Sequence, residues 1–403
     1  MIRYASVSAI LLIACAQEPS SALVDLPGAR NDALRQAAAA NDLPVEWLAA
    51  VGYLQGRFEP ADRTTDDAVA EPIAPEDTLA EDTPLDDTNE PTIIEDGAAP
   101  GDHELPDAWG VMYLSDAQLD AAAALTGATP DALRTDLAAN IAGAAALLAA
   151  DRAAAGGDLR IATASFLGYA DDLEAGDLAL VDIDETLQNG FDLTTSDGER
   201  LALTGSDPQP DVAEAVAPGK YPARQWIPSP NFSSRLGLNV RFIVVHDIEG
   251  TMAGAISVFK RSSSEASAHY ITRASDGHIV QMVKEGNNAW HAGHGWFNRH
   301  SVGIEHEGFA HRRNGGGFYT DRQYRASARL ACAIAHRYSI PVNRKHIFGH
   351  MNVPSNLSSH TLCSDARGIA GACGGVSHHS DPGRFWNWTK YMTLIRGCVA
   401  AAG

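Results

Sequence analysis

Hydrophobic and polar positions change their period along this chain, and the change divides it. Residues 28–58 read as helical: Asn31 can cap the run Asp32–Asn41, and Pro44 can occupy the first turn of a second helix through Leu54. Helical patterns resume from Ser115 to Ala154, with Asp131–Ala150 rich in alanine and leucine. Beyond residue 238 the runs shorten. Phe242-Ile243-Val244-Val245 is a buried-strand run that ends at His246, and Ser267–Ile271 alternates as a strand. Asp276-Gly277 is a hairpin turn into Ile279–Val283, and Ser301–Gly308 is a further strand. Thr320–His336 is an amphipathic helix, and Ile347-Phe348-Gly349-His350 is a short strand ending in a second histidine.

The stretches between these patterns are acidic. Ala61–Leu105 holds fifteen acidic residues, one basic residue (Arg63) and prolines at 72, 75, 84, 91 and 100, too little apolar surface to offset its ordering entropy. It is expected to be a disordered insertion at 61–105 within a helical domain spanning 24–170. Residues 171–220 turn acidic again, with Pro and Gly, and read as a linker to a module at 221–396. Charge follows the same division. The 403 residues carry a formal charge of −21, yet 221–396 holds 20 Lys+Arg against 10 Asp+Glu, leaving 10 and 41 elsewhere. Fourteen of the fifteen histidines also fall in 221–396. A basic, histidine-rich module behind an acidic front suits an anionic substrate or surface.

The first fifteen residues read as an export signal. Arg3 supplies the positive end, and Ala5–Ala14 is apolar but too short to span a bilayer. The segment ends in Leu12-Ile13-Ala14-Cys15, which resembles the lipobox at which bacterial lipoproteins are cleaved and lipidated, so Cys15 is the expected acylated residue. An exported, periplasmic protein anchored by acyl chains, at the outer membrane, is the expectation; nucleic acid is not an expected partner. No other run is long and apolar enough for a membrane-spanning helix. Four cysteines then remain, an even number that suggests disulfides with three possible pairings. Cys363–Cys373 would close a Gly/Ser-rich loop, and Cys332–Cys398 would tie a helix to the C-terminus. A zinc site built from all four lacks the CxxC spacing it needs.

Within 221–396 the segments VVHDIEG, SAHYIT, DGHIVQMV, AWHAG, SVGIEHEG, GHMNVP and HSDPGRFWNW occur in that order. Their sequence and order resemble the N-acetylmuramoyl-L-alanine amidases related to phage T7 lysozyme and to animal peptidoglycan recognition proteins. The resemblance implies a mixed β-sheet flanked by helices, one Zn2+ per chain, and hydrolysis of the amide between the MurNAc lactyl group and L-Ala of a peptidoglycan or muropeptide stem. By position it gives His246, His350 and Asp381 as metal ligands, Glu305 as general base and His379 as the group facing the oxyanion. Two imidazoles, one carboxylate and an open position make a catalytic rather than a structural zinc site.

Several choices remain open from the residues alone. Glu307 shares a strand face with Glu305, His378 competes with His379, and His360 competes with His350. His269 and His291 are expected to shape the groove, while His294, His300, His306 and His311 are expected at the surface or in loops. Trp296, Phe297, Trp386 and Trp388 read as core before sugar-stacking residues. His350 and Asp381 stand 31 residues apart, farther than in the family, and the added loop contains Cys363 and Cys373. A peptidoglycan-binding lipoprotein without catalysis is the alternative function.

The front also carries a resemblance. The run from Ala40 to Pro60, with Trp109-Gly110-Val111-Met112, Asn140-Ile141-Ala142-Gly143 and Ala162–Tyr169, is similar to the all-α, lysozyme-like fold of lytic transglycosylases. That family places its catalytic glutamate, followed by serine, where this chain has Gln55-Gly56. An amide cannot protonate a leaving glycosidic oxygen, so the resemblance implies a domain without that activity.

Overall fold

The computed structural model describes residues 20–60, 108–207, 221–222, 224–310, 318–363 and 379–400. The segment read as an export signal with Cys15, the stretch 61–105 read as a disordered insertion, His311, Cys373 and His378 lie outside these residues.

In the front half, β1 (Ala22–Leu23) leads into α1 (Ala29–Ala40) and α2 (Val45–Gly56). The short pair β2 (Ala108–Trp109) and β3 (Leu114–Ser115) precedes α3 (Asp116–Thr126), α4 (Pro130–Thr135), α5 (Leu137–Ala154) and α6 (Leu159–Phe166). Side-chain caps set four of these starts: Ser115 with Gln118 in a capping box, Thr129 on Ala132 N–H, Asp136 on Ala139 N–H, and Asp158 on Arg160 and Ile161 N–H. Gly28, not Asn31, caps α1. Asn31 lies one turn inside, buried, and its side-chain amide donates to the Arg200 carbonyl.

Contrary to the sequence reading, α5 is long and apolar enough to cross a membrane. Here it is a packing helix, with Ile141, Ala144, Ala145 and Leu148 buried in the front core. Asn140 on α5 accepts from Met112 N–H at 2.8 Å and donates to the Trp109 and Leu133 carbonyls, fixing the turn between β2 and β3.

The expected linker at 171–220 is largely folded. Residues Leu173–Asn189 form α7, and Gly190–Thr194 and Arg200–Thr204 form a hairpin, β4 and β5, that pairs with β1 in the order β1-β5-β4. Acidic composition suggested a linker, but the acids have partners. Asp182 and Glu185 on α7 both pair with the buried Arg273 at 2.8 Å, while Leu178, Ala179 and Ile183 are buried. The three-stranded sheet lies outside 24–170, where the described residues form α1 to α6 and the short β2–β3 pair.

The C-terminal half contains β6 (Gln225–Trp226), β7 (Phe232–Ser234), β8 (Phe242–Val245), α8 (Met252–Lys260), β9 (Tyr270–Thr272), β10 (Ile279–Gln281) and β11 (Asn287–Ala289). It continues with α9 (Gly295–His300), β12 (Ser301–His306), α10 (Asp321–Tyr338), β13 (Ile347–Gly349) and α11 (Trp388–Ala400). Six strands form a mixed sheet in the order β13-β8-β12-β9-β10-β6, parallel from β13 through β9. β10 runs antiparallel to β9, and β6 pairs parallel with β10, so the last two strands run opposite to the first four.

β8 is buried on both faces, which explains its unbroken apolar run. Ile243 and Val245 pack with residues of α10 and α11, whereas Phe242 and Val244 pack with Trp296, Phe297 and Phe348. Trp386 and Trp388 are buried beside Tyr391, so all four aromatics under question serve the core. A disulfide between Cys332 and Cys398 joins α10 to α11, with Cα atoms 6.3 Å apart.

Candidate metal centre

Strand register builds the site. Val245 on β8 pairs with Gly349 on β13 and with Ile304 on β12. Paired residues of parallel strands share a face, so the next residue on each, His350, His246 and Glu305, form a row where the three strands end. Asp381 reaches this row from the segment before α11. Its Oδ1 lies 2.9 Å from His350 Nδ1 and its Oδ2 3.2 Å from His246 Nδ1. One ligand atom from each of the three residues falls within 4.8 Å of the others. His379 stacks on the His350 ring, with centroids 3.8 Å apart. All five residues are buried, and Glu305 and Asp381 each keep 8% of their surface exposed.

The 31-residue separation between His350 and Asp381 is bridged by the backbone at both ends. Met351 N–H donates to the Asp381 carbonyl at 2.9 Å, and Cys363 N–H donates to the Asn352 carbonyl at 2.9 Å. The Asn352 side chain accepts from Gly349 N–H and donates to the Cys363 carbonyl. The ends of the insertion therefore return to the turn that carries His350.

Burial, with His350 beside it, lowers the His246 imidazole to about 4. At neutral pH it is an uncharged ring able to offer a lone pair. Burial alone would raise Asp381, but the two histidines beside it, His350 foremost, hold it well below the usual carboxylate range. Asp381 Oδ2 also faces Asp247 N–H at 3.2 Å. Asp247 itself is pushed up to about 8 by burial, although Tyr319 Oη and the Glu249 amide both donate to it. Two imidazoles converging on a carboxylate suit a borderline cation such as zinc, and the donor set fits that ion.

The competing candidates separate by their contacts. Glu307 accepts from Met252 N–H at 3.1 Å and Ala274 N–H at 2.7 Å, holding the start of α8 to the turn after β9. His360 stacks on Trp296 at 4.2 Å, outside the His246–His350–Asp381 group. His294, His300 and His306 are fully buried, not surface residues. His306 shows why: Nδ1–H donates to the His246 carbonyl at 2.8 Å, and Nε2 meets Ser327 Oγ of α10 at 2.6 Å.

His269 and His291 lie behind the row. Gly303 N–H donates to His269 Nδ1 at 3.1 Å, and His291 Nδ1 lies 2.9 Å from His246 Nε2. Burial first, then Arg235 for His269 and His246 for His291, keeps both rings well below the usual imidazole range. Sequence reasoning missed Asp247, Tyr319 and Ser301. Asp247 had a signal, an acid directly after a strand-ending histidine; Tyr319 and Ser301 had none.

The family model described as N-acetylmuramoyl-L-alanine amidase matches residues 236–384. N-acetylmuramoyl-L-alanine amidase A of Achromobacter lyticus is 35% identical over 156 residues, covering 38% of this chain and 82% of that protein. Among solved structures, a selenomethionine derivative of AmpD aligns at 24% identity and TM-score 0.33, over 45% of this chain and 99% of its own. The Escherichia coli amidase AmiD, in complex with anhydro-N-acetylmuramic acid-L-Ala-D-gamma-Glu-L-Lys, aligns at 21% identity and TM-score 0.24, over 40% of this chain and 57% of its own. On the family model and the extent of the Achromobacter match, the chain belongs to the N-acetylmuramoyl-L-alanine amidase family.

Proposed function

We propose that this enzyme is a zinc-dependent hydrolase of the amide joining the MurNAc lactyl group to L-Ala in peptidoglycan or muropeptides. The observation that carries the reading is the convergence of His246, His350 and Asp381 within 4.8 Å at the ends of parallel strands. These three residues would hold the ion, which as a Lewis acid activates water and polarises the scissile carbonyl. Glu305, next to His246 in the strand register, takes the proton of the attacking water and passes it to the leaving amine. His379, stacked on His350, donates to the oxyanion of the tetrahedral intermediate. The commitment of Glu307 to two backbone amides supports Glu305 for the base.

The setting belongs to the same proposal. The Leu12-Ile13-Ala14-Cys15 sequence supports acylation at Cys15 and a periplasmic position at the outer membrane. Loss of labelled acyl incorporation in Cys15→Ser is the expected check. For the chemistry, the test is stem-peptide release from purified wall together with metal analysis. Wild type should bind one zinc and release peptide. Glu305→Gln should keep the zinc and lose roughly 100-fold or more in kcat, within the range for general-base removal. Asp381→Ala should lose both. Equal release by all three proteins would overturn the mechanism, and zinc binding without release by wild type would point to a binding-only role.

A further inference from the structure

Behind His246 runs a line of polar contacts that ends at a backbone carbonyl, and that end fixes its direction. The Phe297 carbonyl can only accept, so Ser301 Oγ–H donates to it at 2.6 Å. Ser301 Oγ is then the acceptor for His291 Nε2–H, 3.2 Å away. With its proton on Nε2, neutral His291 has a bare Nδ1, which accepts from His246 Nε2–H at 2.9 Å. His246 in turn is left with its lone pair on Nδ1, the nitrogen 3.2 Å from Asp381 Oδ2. A lone pair thus faces a carboxylate oxygen, two acceptors with no proton between them, an arrangement that a cation between them resolves.

The surroundings of His291 hold it to this role. Its own amide and that of Ala292 both donate to Asn298 Oδ1, at 3.1 and 2.7 Å. Gly303 on β12 leaves room for the ring: a Cβ there would sit 2.5 Å from His291 Cγ. His291 is 8% exposed and Ser301 is fully buried, so water does not compete freely for these contacts. Nothing in the amidase chemistry above uses His291 or Ser301.

We infer that His291 and Ser301 are positioning residues that hold His246 as its Nε2–H tautomer and so present Nδ1 to the metal. Ligating histidines generally donate their second ring N–H to an acceptor, and loss of that acceptor weakens metal binding by about 10- to 100-fold. Here the acceptor is another histidine, whose own orientation depends on a serine two strand positions before Gly303. The inference rests on the zinc reading for its affinity readout, but the tautomer is a property of the metal-free protein as well.

Two measurements on the full chain test it. Long-range 1H–15N correlation of histidine-labelled, metal-free protein should show His246 protonated at Nε2 and bare at Nδ1. In His291→Ala that single tautomer should give way to a mixture. Zinc affinity, read by competition with a chromophoric chelator, should fall about 10- to 100-fold in His291→Ala. His291→Asn, whose Oδ1 can stand where Nδ1 stood, should recover most of that loss. Should His291→Ala fail to fold, Ser301→Ala keeps the ring and removes only its acceptor, and His291 should then populate both tautomers. An unchanged His246 pattern, an unchanged affinity in His291→Ala, or an Asn variant no better than Ala would each overturn the inference. If wild type binds no zinc, the metal reading fails while the metal-free spectra still decide the relay.

Discussion

Gly303 has no side chain because the His291 ring occupies the space one would fill. Gly303→Ala is therefore expected to cost about 1–3 kcal/mol by overpacking, read as a lower thermal midpoint, and to weaken zinc retention in the same protein. A variant as stable and as metal-tight as wild type would contradict the packing described. Glu305 and Glu307 make a second contrast at this scale. Glu307→Gln loses a charged acceptor for two amides and should destabilise by about 1–3 kcal/mol, whereas Glu305→Gln should change turnover and leave unfolding nearly alone. Urea unfolding and wall assays on both variants separate the two roles. Period-two alternation could not make this distinction, because both glutamates lie on one strand face; the amides that claim Glu307 belong to Met252 and Ala274, far off in sequence. His246, His350 and Asp381 were legible for the opposite reason, since strand ends and a local motif mark them. His300 and His306 were misread, and the burial of His294 in its loop was missed, because a buried imidazole leaves no trace in a hydrophobic pattern.

Among the elements, β8, β9, β10, β12, β13 and α10 of the C-terminal half were readable from their apolar runs, and the short β6, β7 and β11 and the helix α7 were not. An acidic helix looks like a linker until its partner is known, and the partner, Arg273, stands on the other half of the molecule. Arg273 meets Asp182, Glu185 and Asp276, three carboxyls on one guanidinium. Burial pushes Glu185 up from 4.5 to about 7, with Arg273 opposing and Asp276 adding to the rise. Folding thus favours its protonated form: that contribution to stability is full below about pH 4.5 and is lost as pH rises through about 7. Glu185→Gln should flatten the loss of thermal stability between pH 5 and 8, and an unchanged slope would exclude Glu185 as its source. The α10–α11 pair offers a further test. The Cys332–Cys398 bond closes 66 residues, for which loop-closure entropy suggests about 4 kcal/mol; Cys332→Ala/Cys398→Ala should show a loss of that order in urea.

At the scale of the whole molecule, the charge division is real in sequence, but the two halves are not beads on a string. Leu178 and Ala179 of α7 share a core with Ile256 and Phe259 of α8, and Tyr169 and Asp172 bond to Thr251 and Lys260. A chain begun at residue 221 would expose that apolar face. It should unfold at lower temperature and aggregate more readily than the full chain, as light scattering during a thermal ramp would record. The mixed sheet was legible as a fold class; the docking of the front was not, because it depends on pairs that no local pattern connects. The disulfide has one more consequence at this scale. The stretch it encloses, from 332 to 398, contains both His350 and Asp381. Two of the three candidate ligands are thus corralled by a bond that a reducing cytoplasm would leave open. If the bond supports the site, the reduced protein should retain zinc less well than the oxidised one.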